Sequence, residues 1–175
     1  MGTDKALLVV DGTAMARRVA DALLAGGVTV VRCIGGDGPA LTALGLSVVA
    51  DQRPGMGPLG GVHTAMHEAD RLGADVVVVS ACDHPDLDGP TVAGLVGALG
   101  DDPGLGYAVA QDADGHRPLI VALRRTVAEP AAWAGLRGGD RSMHAFYIRL
   151  EGVAVTGLGA RPLQDVDQPT DLDKR

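Results

Sequence analysis

Four stretches carry residue types that could do chemistry. In SACDHPDL (80–87) Asp83 lies just beyond the strand-like run that contains Val76-Val77-Val78-Val79 and precedes His84-Pro85. A carboxylate fixed by such a loop is the oxygen ligand that a Mg²⁺ ion bridging substrate phosphates requires. The same position suits an Asp capping the next helix or turn, and placement alone favours neither reading. LQDVDQPTDL (163–172) sets Asp165 and Asp167 two residues apart, on one side of an extended chain, just before Pro169. They are possible further metal ligands, or acids gathered at a helix start. Lys5 stands out because thirteen of the fifteen basic residues are Arg and the other lysine, Lys174, is at the far end.

GMGPLG (55–60) formally satisfies G-x-G-x-x-G after a strand-like run and before a helix-like one, the setting of a dinucleotide fingerprint. Pro58 removes an amide from the cradle that such a fingerprint offers to pyrophosphate, and Gln52 to Pro54 separate strand from glycines. A structural loop is therefore favoured over a Rossmann oxidoreductase. His63 and His67 share a helical spacing, but Thr64 stands where a zincin has Glu, so a packing or surface role is expected. Cys33 and Cys82 form no C-x-x-C pair and read as small buried residues at strand ends. GGDG (35–38) reads as an ordinary turn in preference to an anion nest.

The elements that must position these residues follow from periodicity. Met15, Val19 and Leu23 recur at helical spacing, with a turn at Asp11-Gly12 before them and Gly26-Gly27 after. Strand-like runs stand at 28–31, 47–50 and 76–79, with helix-like segments at 39–44 and 60–72 between them. A helix over 91–99, strands over 107–111 and 118–123, a helix over 127–136 broken at Pro130 and a late strand over 153–156 complete the list. Alternating β and α elements imply an α/β fold with a mostly parallel sheet and helices on both faces. The unbroken Val76–Val79 run implies a central strand, with ligands at its carboxyl end.

At 175 residues the chain fits one domain, 1–175. Its net charge of -7, without a Lys/Arg run, argues against nucleic-acid or anionic-membrane partners. No apolar run approaches the ~20 residues of a membrane helix, and no export signal is evident, so a cytoplasmic protein is expected.

In order and spacing the motifs resemble the molybdenum cofactor guanylyltransferases, the MobA-like branch of the nucleotidyltransferases with a Rossmann-like fold. MGTDKALL resembles the second half of that family's L-x-G-G-x-S-x-R-M-G-x-D-K signature, and DQRPGMGPLGGV its D…GPL-x-G segment. ACDHP resembles C-D-x-P, HRPLIVAL the late strand, GDRSMHAF the G-x-R-S region and DVDQPTDL the N-x-N-T-P-E-D-L ending. The resemblance implies transfer of GMP from GTP to a molybdopterin-type cofactor, with Mg²⁺ and release of pyrophosphate. It implies that Lys5 contacts the GTP phosphates, that Asp51 holds the ribose region and that Gly57, Pro58 and Leu59 line the nucleotide. Asp83 would bind Mg²⁺ and share the catalytic role with Lys5; Asp165 or Asp167 would complete the site, and Arg141 would meet the anionic acceptor.

Three departures qualify what the resemblance implies. Asp165 and Asp167 stand where the family has Asn, and Cys33 stands where it has a nucleotide-contacting Asn. The half-motif L-x-G-G-x-S-x-R is not in the sequence, so the family's first central strand and glycine loop are expected to be missing. An internal start or a true truncation would account for it, and open sheet edges with poor stability are expected. A cytidylyltransferase acting on the same cofactor, or a noncatalytic remnant that binds a pathway partner or molybdoenzyme, are the alternative functions.

Overall fold

The computed structural model describes residues 4–100 and 102–166. Asp4 opens the described chain by capping a single 3₁₀ turn, Lys5–Leu7, its Oδ1 accepting from the Ala6 amide at 3.0 Å. A hairpin of β1 (Val9–Val10) and β2 (Thr13–Ala14) follows. Its turn is Asp11-Gly12, both with positive φ (49° and 81°), as a two-residue hairpin loop of this twist demands. Helix α1 (Met15–Ala25) buries Met15, Val19, Ala22 and Leu23 and stops at Gly26-Gly27. Gly26 also lets α1 approach its neighbour, because a Cβ there would lie 2.4 Å from Val92.

Next come β3 (Cys33–Ile34), α2 (Gly38–Ala43), β4 (Val48–Val49), α3 (Gly57–Arg71), β5 (Val76–Ser80) and α4 (Gly89–Leu99). The chain continues through β6 (Tyr107–Asp112), β7 (Gly115–Arg124), α5 (Arg125–Gly138), α6 (Met143–Tyr147), β8 (Gly152–Val155) and a 3₁₀ turn at Arg161–Leu163. The main sheet has the order β5-β7-β6-β8. Its pairs β5–β7 and β6–β7 are antiparallel and β6–β8 is parallel, while β3 and β4 form a separate parallel pair. The sheet is thus mixed, as expected, with less parallel pairing than the alternation of elements suggested.

Period-two alternation along β6 and β7 fills both faces. Ala108, Ala110, Ile120 and Ala122 pack with α1 and α4, whereas Val109, Val121 and Leu123 pack with α3, α5 and α6. Helices therefore cover the sheet on both sides. Tyr147 adds a polar tie, its hydroxyl donating to the Pro118 carbonyl at 2.5 Å beside the register shift between Val109 and Gln111. The proline, which cannot donate to a ladder, sits where the ladder is already irregular.

Several expectations are corrected. Residues 28–31 form no strand; the pairing lies one step later, at Cys33–Ile34, where Cys33 and Gly35 donate to Ser47 and Val49. Helix α3 begins at Gly57 rather than residue 60, since Pro58 is well suited to a first turn. Pro130 does not break α5, which runs through it at the loss of one backbone hydrogen bond. The run Val76–Val79 is not central: β5 is an edge of the four-stranded sheet, and its residues are half-buried.

The reason is a cleft. Among the described residues no strand pairs the second edge of β5, and β3 faces it across two adjoining cavities of about 340 and about 410 Å³. Val28, Val31, Ile34, Ala65, Val76 and Val78 are among the lining side chains. No helix among the described residues is long and apolar enough to cross a membrane.

Two bonds fix the phase of the open edge: Arg125 N–H donates to the Asp75 carbonyl at 2.9 Å, and Ala81 N–H to the Leu119 carbonyl at 3.0 Å. In an antiparallel ladder the groups of Val77 and Val79 then face β7, whereas those of Val76, Val78 and Ser80 face the cleft. Amide exchange measured by NMR should accordingly show Val78 and Ser80 exchanging ~100-fold or more faster than Val77 and Val79; equal protection would mean that the edge is covered in solution. Gly152 supplies a second check, because a Cβ there would lie 2.3 Å from the Tyr107 ring. Gly152→Ala should cost about 1–3 kcal/mol in a denaturation experiment, the ordinary penalty of overpacking.

Candidate active site

Polar groups converge where β3, β4 and β5 end. Beyond β5 the loop 81–88 turns back to start α4, and Asp88 caps that helix by accepting from the Thr91 amide at 2.9 Å. Asp83 is therefore released from the capping role that its position allowed. Its side chain is 27% exposed, yet Oδ1 is buried and has no hydrogen-bond partner. The His84 Nε2 atom is 3.7 Å away, outside hydrogen-bonding range. A buried anionic oxygen without a donor is costly in the unliganded protein, and a cation relieves that cost.

The segment that carries Asp165 reaches the same loop. Val166 N–H donates to the Asp83 carbonyl at 2.8 Å, which brings the exposed Asp165 beside the loop. Asp167 lies outside the described residues. Among the described residues no three His, Cys, Asp or Glu side chains converge as a closed metal cage. Such a site suits a hard ion that takes most ligands from phosphates and water, as Mg²⁺ does, and does not suit zinc.

Asp4 and Lys5 reach this region from the other end of the chain. The Cys82 thiol is pushed up to about 11 by burial first, then by the charges of Asp83 and Asp4, while its own backbone hydrogen bond and Lys5 act in the opposite sense. Asp4 and Cys82 line the same cavity. Burial also raises Cys33, and both cysteines are free thiols. Asp4 has a structural task besides capping: Oδ2 accepts from the Asp37 amide at 3.4 Å, docking the amino-terminal turn on GGDG. That segment is the turn expected, with Gly35 and Gly36 at φ 71° and 79° and Asp37 capping α2.

Asp51 follows β4, with Ala50 between, and lies beside Gly35. Its Oδ1 accepts from the Arg53 amide at 2.8 Å and lies 3.0 Å from the Thr64 hydroxyl. One carboxylate oxygen thus braces the loop into α3, and Oδ2 keeps the capacity to meet a ligand. Gly57 and Pro58 form the first turn of α3, whose cap residue Met56 supplies no side-chain bond; Pro58 lines the larger cavity with Asp4, Gly35, Gly36 and Cys82. Leu59 is fully buried, so its side chain belongs to the core and only its backbone is available to a nucleotide. The dinucleotide fingerprint is absorbed in the same way, since its glycines start a helix and its leucine fills the core.

Arg141 is exposed in the loop between α5 and α6, held by Asp140 Oδ1, which accepts from the Ser142 amide and hydroxyl. The loop lies by the first turn of α3: a Cβ on Gly135 would meet Leu59 at 2.8 Å and the Asp140 carbonyl at 3.4 Å. The histidines are not a metal pair. His63 is buried against Trp133, with its pKa lowered chiefly by burial, and His67 Nδ1 bonds Gln52 Nε2 at 3.0 Å. Sequence reasoning missed Asp88 as the α4 cap, although Asp-Gly-Pro before an apolar run is the expected signal. It also missed Arg18, Asp86 and Arg161, which meet only through the fold.

Residues 1–153 match the family model described as the MobA-like NTP transferase domain. A protein from Opitutus terrae named "Probable molybdenum cofactor guanylyltransferase" is 33% identical over 150 residues, spanning 86% of this chain and 72% of that protein. A phosphoenolpyruvate guanylyltransferase from Sphaerobacter thermophilus is 33% identical over 128 residues, 72% of this chain and 58% of that protein. The crystal structure of molybdopterin-guanine dinucleotide biosynthesis protein A from Archaeoglobus fulgidus superposes with a TM-score of 0.77 at 17% identity, covering 99% of this chain and 89% of that one. With the family matched over most of its length and the fold shared, this chain belongs to the MobA-like nucleotidyltransferases.

Proposed function

We propose that this chain transfers a guanylyl group from GTP to the phosphate of a molybdopterin-type cofactor, releasing pyrophosphate. The observation that carries this reading is Asp83 Oδ1, a buried carboxylate oxygen with no protein partner at the carboxyl end of β5. It suits Mg²⁺, which Asp83 would hold with Asp165, and with Asp167 beyond the described residues; when bound, the ion neutralises charge on the triphosphate. GTP is favoured over CTP because both sequence relatives reported above are named for guanylyl transfer.

The chain's own groups supply positioning and charge. Lys5 meets the triphosphate as a point cation, and the uncapped start of the 15-residue helix α3 turns its positive end toward anions. Asp51 offers Oδ2 to the ribose, and Arg141 offers a guanidinium to the acceptor. An acceptor phosphate oxygen attacks the α-phosphorus, the bond from that phosphorus to the bridging oxygen breaks, and pyrophosphate leaves with the bonding pair. The new bond is a diphosphate linkage. Such a transfer depends on alignment and neutralisation more than on a covalent intermediate.

Thermal shifts with each nucleotide and Mg²⁺ should show the largest stabilisation with GTP. Greater stabilisation by CTP would overturn the guanine assignment, and by NAD the transfer chemistry. Pyrophosphate release with molybdopterin as acceptor should exceed that with phosphoenolpyruvate; the reverse would move the chain to the other acceptor. Partner binding without any turnover would favour a noncatalytic role. Asp83→Asn should reduce turnover by roughly 100-fold or more, while leaving the melting temperature of the unliganded protein unchanged or raised, because it removes the unpaired buried anion. Full Mg²⁺-dependent activity in that variant would reject Asp83 as a ligand.

A further inference from the structure

The carboxylate of Asp86, three residues beyond Asp83, is nearly buried, at 7% exposure, between two guanidinium groups. Arg18 of α1 places Nη2 3.2 Å from Oδ1, and Arg161 of the last 3₁₀ turn places Nε 3.1 Å from Oδ2. Arg18 spreads its other donors over the same neighbourhood. Its Nε bonds the Pro85 carbonyl at 2.7 Å, and Nη1 reaches the Val10 carbonyl and Asp11 Oδ2, both at 3.3 Å. Asp86 therefore joins three pieces of chain distant in sequence: the amino-terminal hairpin and α1, the loop that carries Asp83, and the turn that leads to Asp165.

Just after that turn the chain packs again. Leu163 and Val166 are each 1% exposed; Leu163 joins the core under α1 and α4, and Val166 packs with Val10 and Met15. Between the clasp and these apolar anchors lies the bond from Val166 N–H to the Asp83 carbonyl. Both ends of that bond are thus fixed by side chains that need not touch a substrate. We propose that Asp86 is a positioning residue: clasped by Arg18 and Arg161, it holds the Asp83 loop and the Asp165 segment in register, so that both carboxylates face one cation and its phosphates. This rests on the reading of Asp83 given under Proposed function. A charge-assisted network centred on a nearly buried carboxylate has the stiffness for the task, since loss of Arg18 leaves that carboxylate short of a donor away from water.

Two variants test it on the whole chain. Asp86→Asn keeps shape and removes charge. Arg161→Gln breaks one arm at a side chain 70% exposed, so it leaves a foldable protein even if the first does not. The first readout is the exchange of the Val166 amide relative to core amides, which needs no ligand: it should rise by about tenfold in each variant, the scale of one charge-assisted hydrogen bond. The second is Mn²⁺ binding in the presence of GTP, followed by electron paramagnetic resonance: affinity should fall roughly tenfold, while GTP affinity in EDTA stays within about twofold of the parent. A residue that merely stabilises the fold would lower the melting temperature without moving either readout. Unchanged Val166 exchange in both variants overturns the clasp. Loosened Val166 with unchanged Mn²⁺ affinity overturns its positioning role. If the parent binds no Mn²⁺ with GTP, the reading of Asp83 fails and the positioning role falls with it, and the Val166 result shows that this failure lies in the site and not in the clasp.

Discussion

Everything in this fold hangs on β7, which like β6 hydrogen-bonds along both edges and is covered on both faces, and which alone among the described strands pairs with β5. Its residues Ile120, Val121, Ala122 and Leu123 are almost wholly buried, so its register against β5 and β6 admits no slip that would not turn an apolar set toward water. Because Ser80 pairs Ile120 and Ala81 bonds Leu119, the point at which β5 ends is set by β7. The loop with Asp83 starts at that point. The site's height above the sheet is thus a consequence of core packing in the neighbouring strand.

The second constraint is charge. The chain carries a net charge of -7, and acids stand at several elements about the cleft: Asp4 and Asp51 by the GGDG turn, Asp83 beyond β5 and Asp165 on the segment bonded to its loop. An anionic substrate meets repulsion there unless something neutralises it, which is why the unpartnered Asp83 oxygen matters more than the number of acids. Three neighbouring carboxylates accept from backbone amides. Asp4 caps a turn and docks on GGDG, Asp51 braces the loop into α3, and Asp88 caps α4. Only against that background does one buried oxygen without a donor read as the place for a cation.

Between β3 and β5 the molecule keeps an aliphatic cleft whose upper end touches Asp4, Gly35, Gly36 and Cys82. The β3–β4 pair is joined to the main sheet through helices, with α3 against both β3 and β5. The positions of GGDG and Asp51 relative to Asp83 therefore depend on helix packing and on the Asp4 carboxylate, not on a continuous ladder. Side-chain ties such as Arg18 to Asp86 carry a correspondingly larger share of the alignment.

Much of this was legible in the sequence, and the limits have physical causes. The helix and strand periods of α1, α4, β6 and β8 were sufficient, because each buries a regular stripe. Asp83 was legible too: an apolar run followed by Asp-His-Pro can only put a carboxylate at a strand end. Sequence alone also pointed to the family, through motifs spread over nearly the whole chain. What it did not determine was partnership. Val76–Val79 reads as a central strand because four apolar residues in a row want cover on both faces, but cover on the faces and pairing along the edges are separate properties, and only tertiary structure reveals an unpaired edge. The same holds for charges. Asp83 and Asp88 look alike in sequence; the fold gives one a helix amide and leaves the other without a donor. Arg18, Asp86 and Arg161 show no pattern at all along the chain, because an ion pair between distant residues leaves no period to read and exists only once packing has brought its members together.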